Sequence, residues 1–484
     1  MRSEKVLLSE LYNKLKQYGD SKYYPYHMPG HKRRMTGAMS EEIMKLDITE
    51  IDGFDNLHQP EGILQKLQDK ASGLYGAEET FYLVNGSTSG ILSAVSAALP
   101  SNGHILMARN CHKAAYHVAY LRNLTISYLY PEILEEYDIC GAITPKQVEA
   151  ALQEEPDIEA VLLVSPTYEG RIADIKAIAE VVHKRGIPLI VDEAHGAHLG
   201  LVKGFSENSC QQGADIVIHS VHKTLPAMTQ TALLHVNGNL IDRSKLKRFL
   251  HIYQSSSPSY VLMASIDNAL QIVEDRGEKL FEAFHNNYNG LLQSLKACKH
   301  LKFLPVQAGK QDIGKLVISS KDTDLSGQQI YDMLLKSYHL QLEMAAGSYC
   351  LAMFTIGDDK EAYERMEKAL LAIDRCIEVS IGNFEKRKAV AKGEFQKNKA
   401  LIPLAKAWDM ETEIIPLNQA IGRAVGEFIN LYPPGIPILV PGEVLTEALY
   451  EQLQKYKEDG LSIQGIESME PLCIKVLLEE KKEI

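Results

Sequence analysis

Short apolar runs alternate with longer amphipathic stretches between about residues 60 and 280. An apolar run bounded by turn residues is typical of a buried strand, and a period of about 3.6 residues is typical of a helix. This alternation predicts an α/β fold around a mostly parallel sheet. The predicted strands are residues 80–84, 104–108, 160–164, 188–191, 215–219 and 232–236, and the predicted helices are 62–75, 89–98, 146–153 and 174–185.

The pattern changes after about residue 285, where predicted strands (316–318 and 351–355) and helices (325–337 and 360–376) indicate a smaller α+β unit. Residues 385–399 are rich in charge and favour a solvated helix or linker. We therefore predict four parts: an N-terminal arm (1–55), a large domain (56–285), a small α+β domain (286–384), and a charged linker with a C-terminal domain (385–484).

The composition narrows the class of protein. Hydrophobic residues make up 45% and charged residues 24% of 484 positions, as in ordinary globular proteins of more than one domain. The net charge of −12 argues against nucleic-acid binding, which favours a basic surface. Seven cysteines without a Cys-x-x-Cys pair predict reduced thiols and a cytoplasmic location. No apolar stretch reaches about eighteen residues, so we expect no membrane span.

A lysine follows the predicted strand 215–219 in the sequence Ser220-Val221-His222-Lys223. Burial of its charge is costly, and desolvation lowers the pKa of a lysine, so that its free amine attacks carbonyl groups. Asp192 follows the preceding predicted strand. The pair predicts bound pyridoxal phosphate (PLP), with Lys223 forming the Schiff base and Asp192 beside the ring nitrogen. A surface lysine and a capping aspartate are the alternatives.

The segment Asn-Gly-Ser-Thr-Ser-Gly at 85–90 lies between a predicted strand and a helix rich in small residues. Backbone N–H groups and the helix dipole favour an anion there, and the hydroxyls of Ser87, Thr88 and Ser220 add donors. The spacing matches neither Gly-x-Gly-x-x-Gly nor a Walker loop, which disfavours dinucleotides and ATP. The alternative is an ordinary N-cap.

Histidines add further candidates. His112 follows the strand 104–108 and is placed to stack on a pyridine ring, although a lone histidine at a strand end is more often structural. His195 and His198, with the acidic pair before them, also resemble a metal cluster, so metal-assisted hydrolysis is the main rival function. Against a metal, no cysteine set or His-Glu-x-x-His motif is present, and Lys223 would have no role.

Taken in order, these motifs resemble the ornithine/lysine/arginine decarboxylases of PLP fold type I, in particular their shorter bacterial branch. The resemblance implies an aspartate aminotransferase-like large domain with a mostly parallel seven-stranded sheet, and smaller C-terminal α+β domains. The segments that carry it are His-Met-Pro-Gly-His-Lys (27–32), Leu-His-Gln-Pro-Glu-Gly (57–62), Asn-Gly-Ser-Thr-Ser-Gly (85–90), Arg-Asn-Cys-His-Lys (109–113), Ser-Pro-Thr-Tyr (165–168), Asp-Glu-Ala-His-Gly (192–196), Ser-Val-His-Lys (220–223), Ser-Ser-Ser-Pro-Ser-Tyr (255–260), Tyr-Pro-Pro-Gly-Ile-Pro (432–437) and Pro-Gly-Glu (441–443).

The resemblance implies roles for individual residues. The catalytic set is Lys223, His222 and Asp192, with His222 a candidate donor of a proton to the substrate Cα. Glu443 is expected near the substrate, and the roles of His27 and His31 stay open. The cofactor-binding set is Ser87, Thr88, His112, Asp192, Ala194, His195, Ser220, His222 and Lys223, completed by Ser256 from the neighbouring subunit of a homodimer or dimer of dimers.

The implied reaction is decarboxylation of lysine, arginine or ornithine to cadaverine, agmatine or putrescine. Another PLP reaction, by an aminotransferase or a lyase, is the alternative, and a non-catalytic PLP-binding relative is a further one. Long family members carry an N-terminal wing domain that builds decamers, which this sequence lacks, so we do not expect their assembly. His195 replaces an aromatic residue of those members, which leaves the preferred substrate open.

Overall fold

The computed structural model describes residues 9–21, 41–202, 205–377, 397–431 and 435–478. His27, His31, residues 432–434 and residues 385–396 of the predicted linker lie outside these ranges. Within them, no helix is both long enough and apolar enough to cross a membrane.

Strands and helices alternate through the large domain, as the apolar pattern predicts. The strands, numbered along the chain, are β1 (Glu79–Leu83), β2 (His104–Ala108), β3 (Thr125–Leu129), β4 (Ile133–Leu134), β5 (Ile139–Cys140), β6 (Ala160–Val164), β7 (Leu189–Asp192), β8 (Ile216–His219) and β9 (Ala232–Val236). The helices are α1 (Glu10–Gly19), α2 (Glu41–Leu46), α3 (Ile63–Tyr75), α4 (Gly86–Ala98), α5 (Lys113–Leu121), α6 (Pro145–Glu154), α7 (Ile175–His183), α8 (Val221–Thr224), α9 (Arg243–Tyr253) and α10 (Tyr260–Leu295).

Seven of these strands form one sheet in the order β1-β9-β8-β7-β6-β2-β3. Neighbouring strands from β8 to β3 run parallel, whereas β9 is antiparallel to both β1 and β8. The expected α/β class and mostly parallel seven-stranded sheet are confirmed. β3 was not predicted from the sequence, because this strand at the sheet edge is only partly buried and carries no continuous apolar run.

The carboxyl ends of the central strands meet the amino end of α4. β7 and β8 are buried along their whole length and end at Asp192 and His219. The chain then turns directly into the short helix α8, which carries Lys223. On the other side, Gly86 opens α4 with a φ of +72°, a left-handed conformation that glycine adopts without strain. Ligands of open α/β sheets bind at this kind of edge.

A smaller unit follows α10, which runs for 36 residues and spans the predicted boundary between residues 285 and 286. Its antiparallel sheet has the order β10-β11-β13-β12. The predicted helix 360–376 is found with the same bounds, and the predicted strand 351–355 is found two residues earlier. The elements are β10 (Lys302–Phe303), β11 (Lys315–Ser319), α11 (Gly327–Tyr338), β12 (Met344–Ala345), β13 (Tyr349–Met353) and α12 (Lys360–Cys376).

The C-terminal part forms two three-stranded sheets with its own apolar core. The elements are α13 (Leu404–Ala407), β14 (Thr412–Pro416), a 3₁₀ turn (Leu417–Gln419), β15 (Ile429–Leu431), β16 (Ile436–Leu439), α14 (Glu447–Glu458), β17 (Ile463–Gln464), β18 (Ser468–Met469) and β19 (Leu472–Leu477). The four domain boundaries stay a prediction.

Candidate active site

A cavity of about 280 Å³ lies where the carboxyl ends of β6, β7 and β8 face the first turn of α4. Its lining joins residues that are more than 130 positions apart in the sequence. Nine residues predicted from the sequence line this cavity: Ser87, Thr88, His112, Asp192, Ala194, His195, Ser220, His222 and Lys223.

Lys223 projects from α8 into this cavity. Its Nζ lies 3.0 Å from Nε2 of His195. Burial lowers the pKa of Lys223, against the opposing effect of the Asp192 and Glu343 carboxylates. A lysine in this environment releases its proton more readily than one in water, and its free amine is a nucleophile.

Asp192 ends β7 and is 6% exposed. One carboxylate oxygen accepts a hydrogen bond from the backbone N–H of Ala194 at 3.2 Å. Burial raises the pKa of Asp192, and the nearby Lys223 opposes that shift. A buried carboxylate of this kind is suited to a cationic partner inside the cavity.

The anion-binding features expected of the 85–90 loop are present at one end of the cavity. Ser87 and Thr88 lie in the first turn of α4, where backbone N–H groups have no helical partner. The Oγ of Ser220 is buried and has no hydrogen-bond partner among the described residues. A buried hydroxyl without a partner is costly, so a polar group in the cavity would satisfy it. These donors fit a phosphate.

Two histidines of the cavity are held through their Nδ1 atoms. The ring of His112 caps α5, with Nδ1 accepting from the N–H of Ala114 at 3.2 Å. Burial, and then Lys223, lowers the pKa of His112 to about 4. His222 donates from Nδ1 to the carbonyl of Thr231 at 2.8 Å, and burial lowers its pKa. Both rings are therefore neutral at neutral pH.

The histidines and acids of the 192–198 segment have protein partners. His195 lies between two lysines, Nε2 facing Lys223 and Nδ1 lying 2.7 Å from Nζ of Lys315. His198 bonds Asp312 at 3.0 Å. In the described part of the chain, no group of three or more His, Cys, Asp or Glu residues could hold a metal ion.

Two residues of the sequence analysis do not line the cavity of this chain. Ser256 is exposed. Glu443 is 2% exposed, and its carboxylate binds the buried guanidinium of Arg109 at 3.0 Å. Arg109 also donates to the carbonyl of Pro437 at 2.6 Å. Glu443 thus fastens the C-terminal part to the large domain instead of facing the cavity.

Several residues at the site had no role predicted from the sequence. Asn110, Tyr168, Thr229, Gln230 and Ile436 line the cavity, and Ile436 comes from the C-terminal part. Lys315 reaches His195 from the small domain. Asn110, Tyr168 and Ile436 stand inside motifs that carry the family resemblance, which was a usable signal. Thr229, Gln230 and Lys315 lie outside those motifs.

Two family models match the chain over most of its length. The model "Orn/Lys/Arg decarboxylase, major domain" matches residues 9–324. The chain belongs to the Orn/Lys/Arg decarboxylase family. The model of the family's C-terminal domain matches residues 390–465, so the site and the part that carries Ile436 both fall within this family's pattern.

Curated and solved relatives agree with this assignment. An arginine decarboxylase of Bacillus subtilis is 32% identical, over 97% of this chain and 98% of that protein. Among solved structures, a lysine decarboxylase of Francisella novicida has a TM-score of 0.83 at 17% identity, over 98% of this chain and 82% of that one. A solved structure of SPT with PLP has a TM-score of 0.53 at 15% identity, over 64% of this chain and 76% of that one. The two structural matches establish the fold, and one of the two matched structures contains PLP.

Proposed function

We propose that this member of the family decarboxylates a basic amino acid with PLP, with arginine as its preferred substrate and agmatine as product. The observation that carries the proposal is one cavity holding Lys223, Asp192 and a hydroxyl-lined helix N-terminus. Arginine is favoured because the B. subtilis relative, aligned over nearly the full length of both chains, is named an arginine decarboxylase. Lysine and ornithine are the other candidate substrates.

The residues present fit PLP. The phosphate would accept hydrogen bonds from the first turn of α4, from Ser87 and Thr88, and from the hydroxyl of Ser220, which has no other partner among the described residues. His112 and Ala194 would contact the ring. These contacts hold the group without a metal ion.

Asp192 would pair with the ring nitrogen. The raised pKa of this buried carboxyl shows that its charge is poorly solvated, and a cationic ring nitrogen beside it would restore the charged form. Bound PLP supplies an electron sink for the pair of electrons left on the substrate when carbon dioxide departs. Asp192 would keep that sink effective by favouring the protonated ring nitrogen.

Lys223 would provide the amine that links covalently to the aldehyde of PLP. Its lowered pKa gives a larger fraction of free amine at neutral pH than an exposed lysine has. Nζ of Lys223 lies inside the cavity, where it would be positioned to move a proton to or from the substrate Cα.

His222 is the second candidate for that proton. Its Nδ1–H is fixed on the carbonyl of Thr231, so Nε2 is the atom that exchanges a proton. Because the pKa of His222 is lowered, Nε2 is unprotonated at neutral pH and acts as an acceptor. Lys223 is therefore the better donor, and His222 the better acceptor.

The proposal includes a homodimer in which Ser256 completes the neighbouring subunit's site. Ser256 is exposed and does not line the cavity of its own chain. At the cavity rim Thr229 and Gln230 are also exposed, next to Met228 at 46% exposure. A second subunit would cover these residues and narrow the entrance.

A substrate panel tests the proposal. The purified protein, loaded with PLP, is incubated with arginine, lysine and ornithine, and carbon dioxide and amine are measured. We expect agmatine from arginine at the highest kcat/KM, and a loss of about 10⁴-fold or more in Lys223→Ala, the upper end of what a positioned acid–base group contributes. A keto acid instead of carbon dioxide would favour an aminotransferase, and no turnover of any basic amino acid would refute the proposal.

A further inference from the structure

Lys315 is a buried lysine outside the cavity lining. It begins β11 in the small domain and is 1% exposed. Burying an ammonium group is costly, so a lysine in such a place needs specific partners. Its Nζ lies 2.7 Å from Nδ1 of His195, a residue of the large domain. The contact therefore joins the small domain to the candidate active site.

The same imidazole reaches the candidate nucleophile. Nε2 of His195 lies 3.0 Å from Nζ of Lys223, so the ring separates two amines. Burial, followed by the two lysines, lowers the pKa of His195 well below its ordinary value. The ring is therefore neutral at neutral pH, with one N–H and one nitrogen lone pair.

This geometry limits the number of protons that the three groups hold. Each amine–imidazole contact is a hydrogen bond only if one partner donates and the other accepts. The lone pair of His195 accepts from a charged lysine, and its N–H then donates to a lysine that is a free amine. Both hydrogen bonds exist together only when the lysine that accepts from the ring N–H is a free amine, so the two lysines cannot both be charged.

Acidic groups face Lys315 from several elements. Asp312 stands before β11, Glu169 lies in the loop after β6, and Glu343 lies before β12. Burial lowers the pKa of Lys315 to about 8, while these three acids raise it and Lys223 lowers it. A group that titrates near neutral pH both takes up and releases a proton under working conditions.

Aromatic and acidic side chains surround the two lysine–histidine contacts. The ring of Tyr168 lies 5.7 Å from Nζ of Lys315 and packs edge-on against His195 at 4.7 Å. Asp312 accepts from His198, which keeps that carboxylate in place behind Lys315. On the cavity side, Lys223 faces Asp192 and Glu343.

We propose that Lys315 is a positioning residue that takes up, through His195, the proton that Lys223 must lose to become a nucleophile. The proton on Nζ of Lys223 passes to Nε2 of His195 while the Nδ1 proton of His195 passes to Nζ of Lys315. One proton leaves and one arrives at the ring, so total charge is unchanged and no other reactant is needed. The inference rests on the proposed function, because it assigns a purpose to the free amine of Lys223.

Two substitutions with opposite expected effects test the inference. The full-length protein is freed of any bound aldehyde with hydroxylamine, and the rate of the absorbance change on adding PLP is measured against pH. Only the free amine reacts, so the midpoint of this profile reports the pKa of Lys223. Lys315→Met removes a positive neighbour and a proton acceptor, so we expect a midpoint about one pH unit higher. Lys315→Arg carries a charge that it does not release, so we expect a lower midpoint.

Controls separate this role from packing. Lys302→Met, at an exposed lysine of the same sheet, should leave the midpoint unchanged. If Lys315→Met does not fold, as judged by circular dichroism, Lys315→Gln replaces it with the same expected rise. Midpoints that stay at the wild-type value, or that move in the same direction in the neutral and Arg variants, would overturn the inference.

The test also distinguishes failure of the inference from failure of the proposed function. If the wild-type protein gives no absorbance change with PLP, or if Lys223→Ala reacts as the wild type does, the proposed function fails. If the wild type reacts through Lys223 and only the Lys315 variants behave unexpectedly, the proposed function stands and the role of Lys315 is rejected.

Discussion

Two adjacent acids, Asp192 and Glu193, lie in contrasting surroundings. Asp192 lines the cavity. Glu193 belongs to a buried histidine chain, defined here as Glu193, His219, His235 and Thr80. In that chain His219 lies 2.7 Å from Glu193 and 3.0 Å from His235, and His235 lies 2.8 Å from the hydroxyl of Thr80. The same kinds of side chain thus occur on either side of one strand end.

The two regions differ in how their polar groups are satisfied. In the buried histidine chain, both nitrogens of His219 and of His235 have partners, and Glu193 also accepts from the N–H and hydroxyl of Ser209. At the cavity, the buried Ser220 Oγ and Asn110 Oδ1 have no partner among the described residues. A closed network stabilises the fold, whereas unsatisfied groups around a cavity are suited to a ligand.

The largest expected difference between the two acids appears when each is replaced by its amide. Asp192→Asn removes the charge proposed for the ring nitrogen, and we expect kcat/KM for arginine to fall roughly 10²–10³-fold, the range typical of losing one preorganised electrostatic contact. Glu193→Gln should change it only a few-fold, because the new amide donates to His219 and still accepts from Ser209. Equal losses of kcat/KM in the two variants would refute the different roles given to Asp192 and Glu193.

A smaller effect concerns pH and stability. Burial raises the pKa of Glu193 to about 8, so the folded protein favours the protonated carboxyl. This contribution to stability is complete below the ordinary pKa of glutamate and is lost as the pH rises towards 8. Between pH 5 and pH 8, we expect the free energy of unfolding in urea to fall by about 3 kcal/mol more in the wild type than in Glu193→Gln. His219 titrates in both proteins, so its contribution cancels. If the free energy of unfolding fell equally with pH in the two proteins, the raised pKa of Glu193 would be contradicted.

The smallest effect compares two buried serines whose hydroxyls lack a partner among the described residues. Ser220 lines the cavity, and Ser93 lies within α4 away from it. Ser220→Ala should raise the dissociation constant of PLP about tenfold, since a hydrogen bond to a charged group contributes roughly 1.5 kcal/mol. Ser93→Ala should leave it unchanged. A spectroscopic titration of both variants measures the difference, and an equal response in both would remove Ser220 from the proposed phosphate site.

Local sequence was informative wherever the chemistry lies at the end of a buried strand. Lys223 and Asp192 each follow an apolar run, and the Ser87–Thr88 pair opens a helix of small residues, so the polar side chains stood out. Lys315 gave no such signal. A lysine before an apolar strand has the same sequence pattern whether its side chain lies in water or, as here, is buried against His195.

Glu443 is a second residue whose contacts the sequence did not indicate, although a motif marked it. The Pro-Gly-Glu motif marked it as important, yet its carboxylate is directed at Arg109, which is 334 residues away in the sequence. No periodicity or spacing indicates the partner of a buried ion pair, because that pairing is set by how the C-terminal part docks on the large domain.

The sequence by itself determined the α/β class and the mostly parallel sheet, and it singled out the lysine, the acid and the hydroxyl-rich loop that line one cavity. These follow from apolar periodicity and from the energetic cost of polar groups at buried strand ends, both of which are local. The tertiary structure alone decided that His195 lies between two lysines and that Glu193 faces away from the cavity. Those outcomes depend on the packing of segments that are far apart in the chain. Packing decides which groups are buried and which charges lie beside them, and these two factors set the pKa of each group.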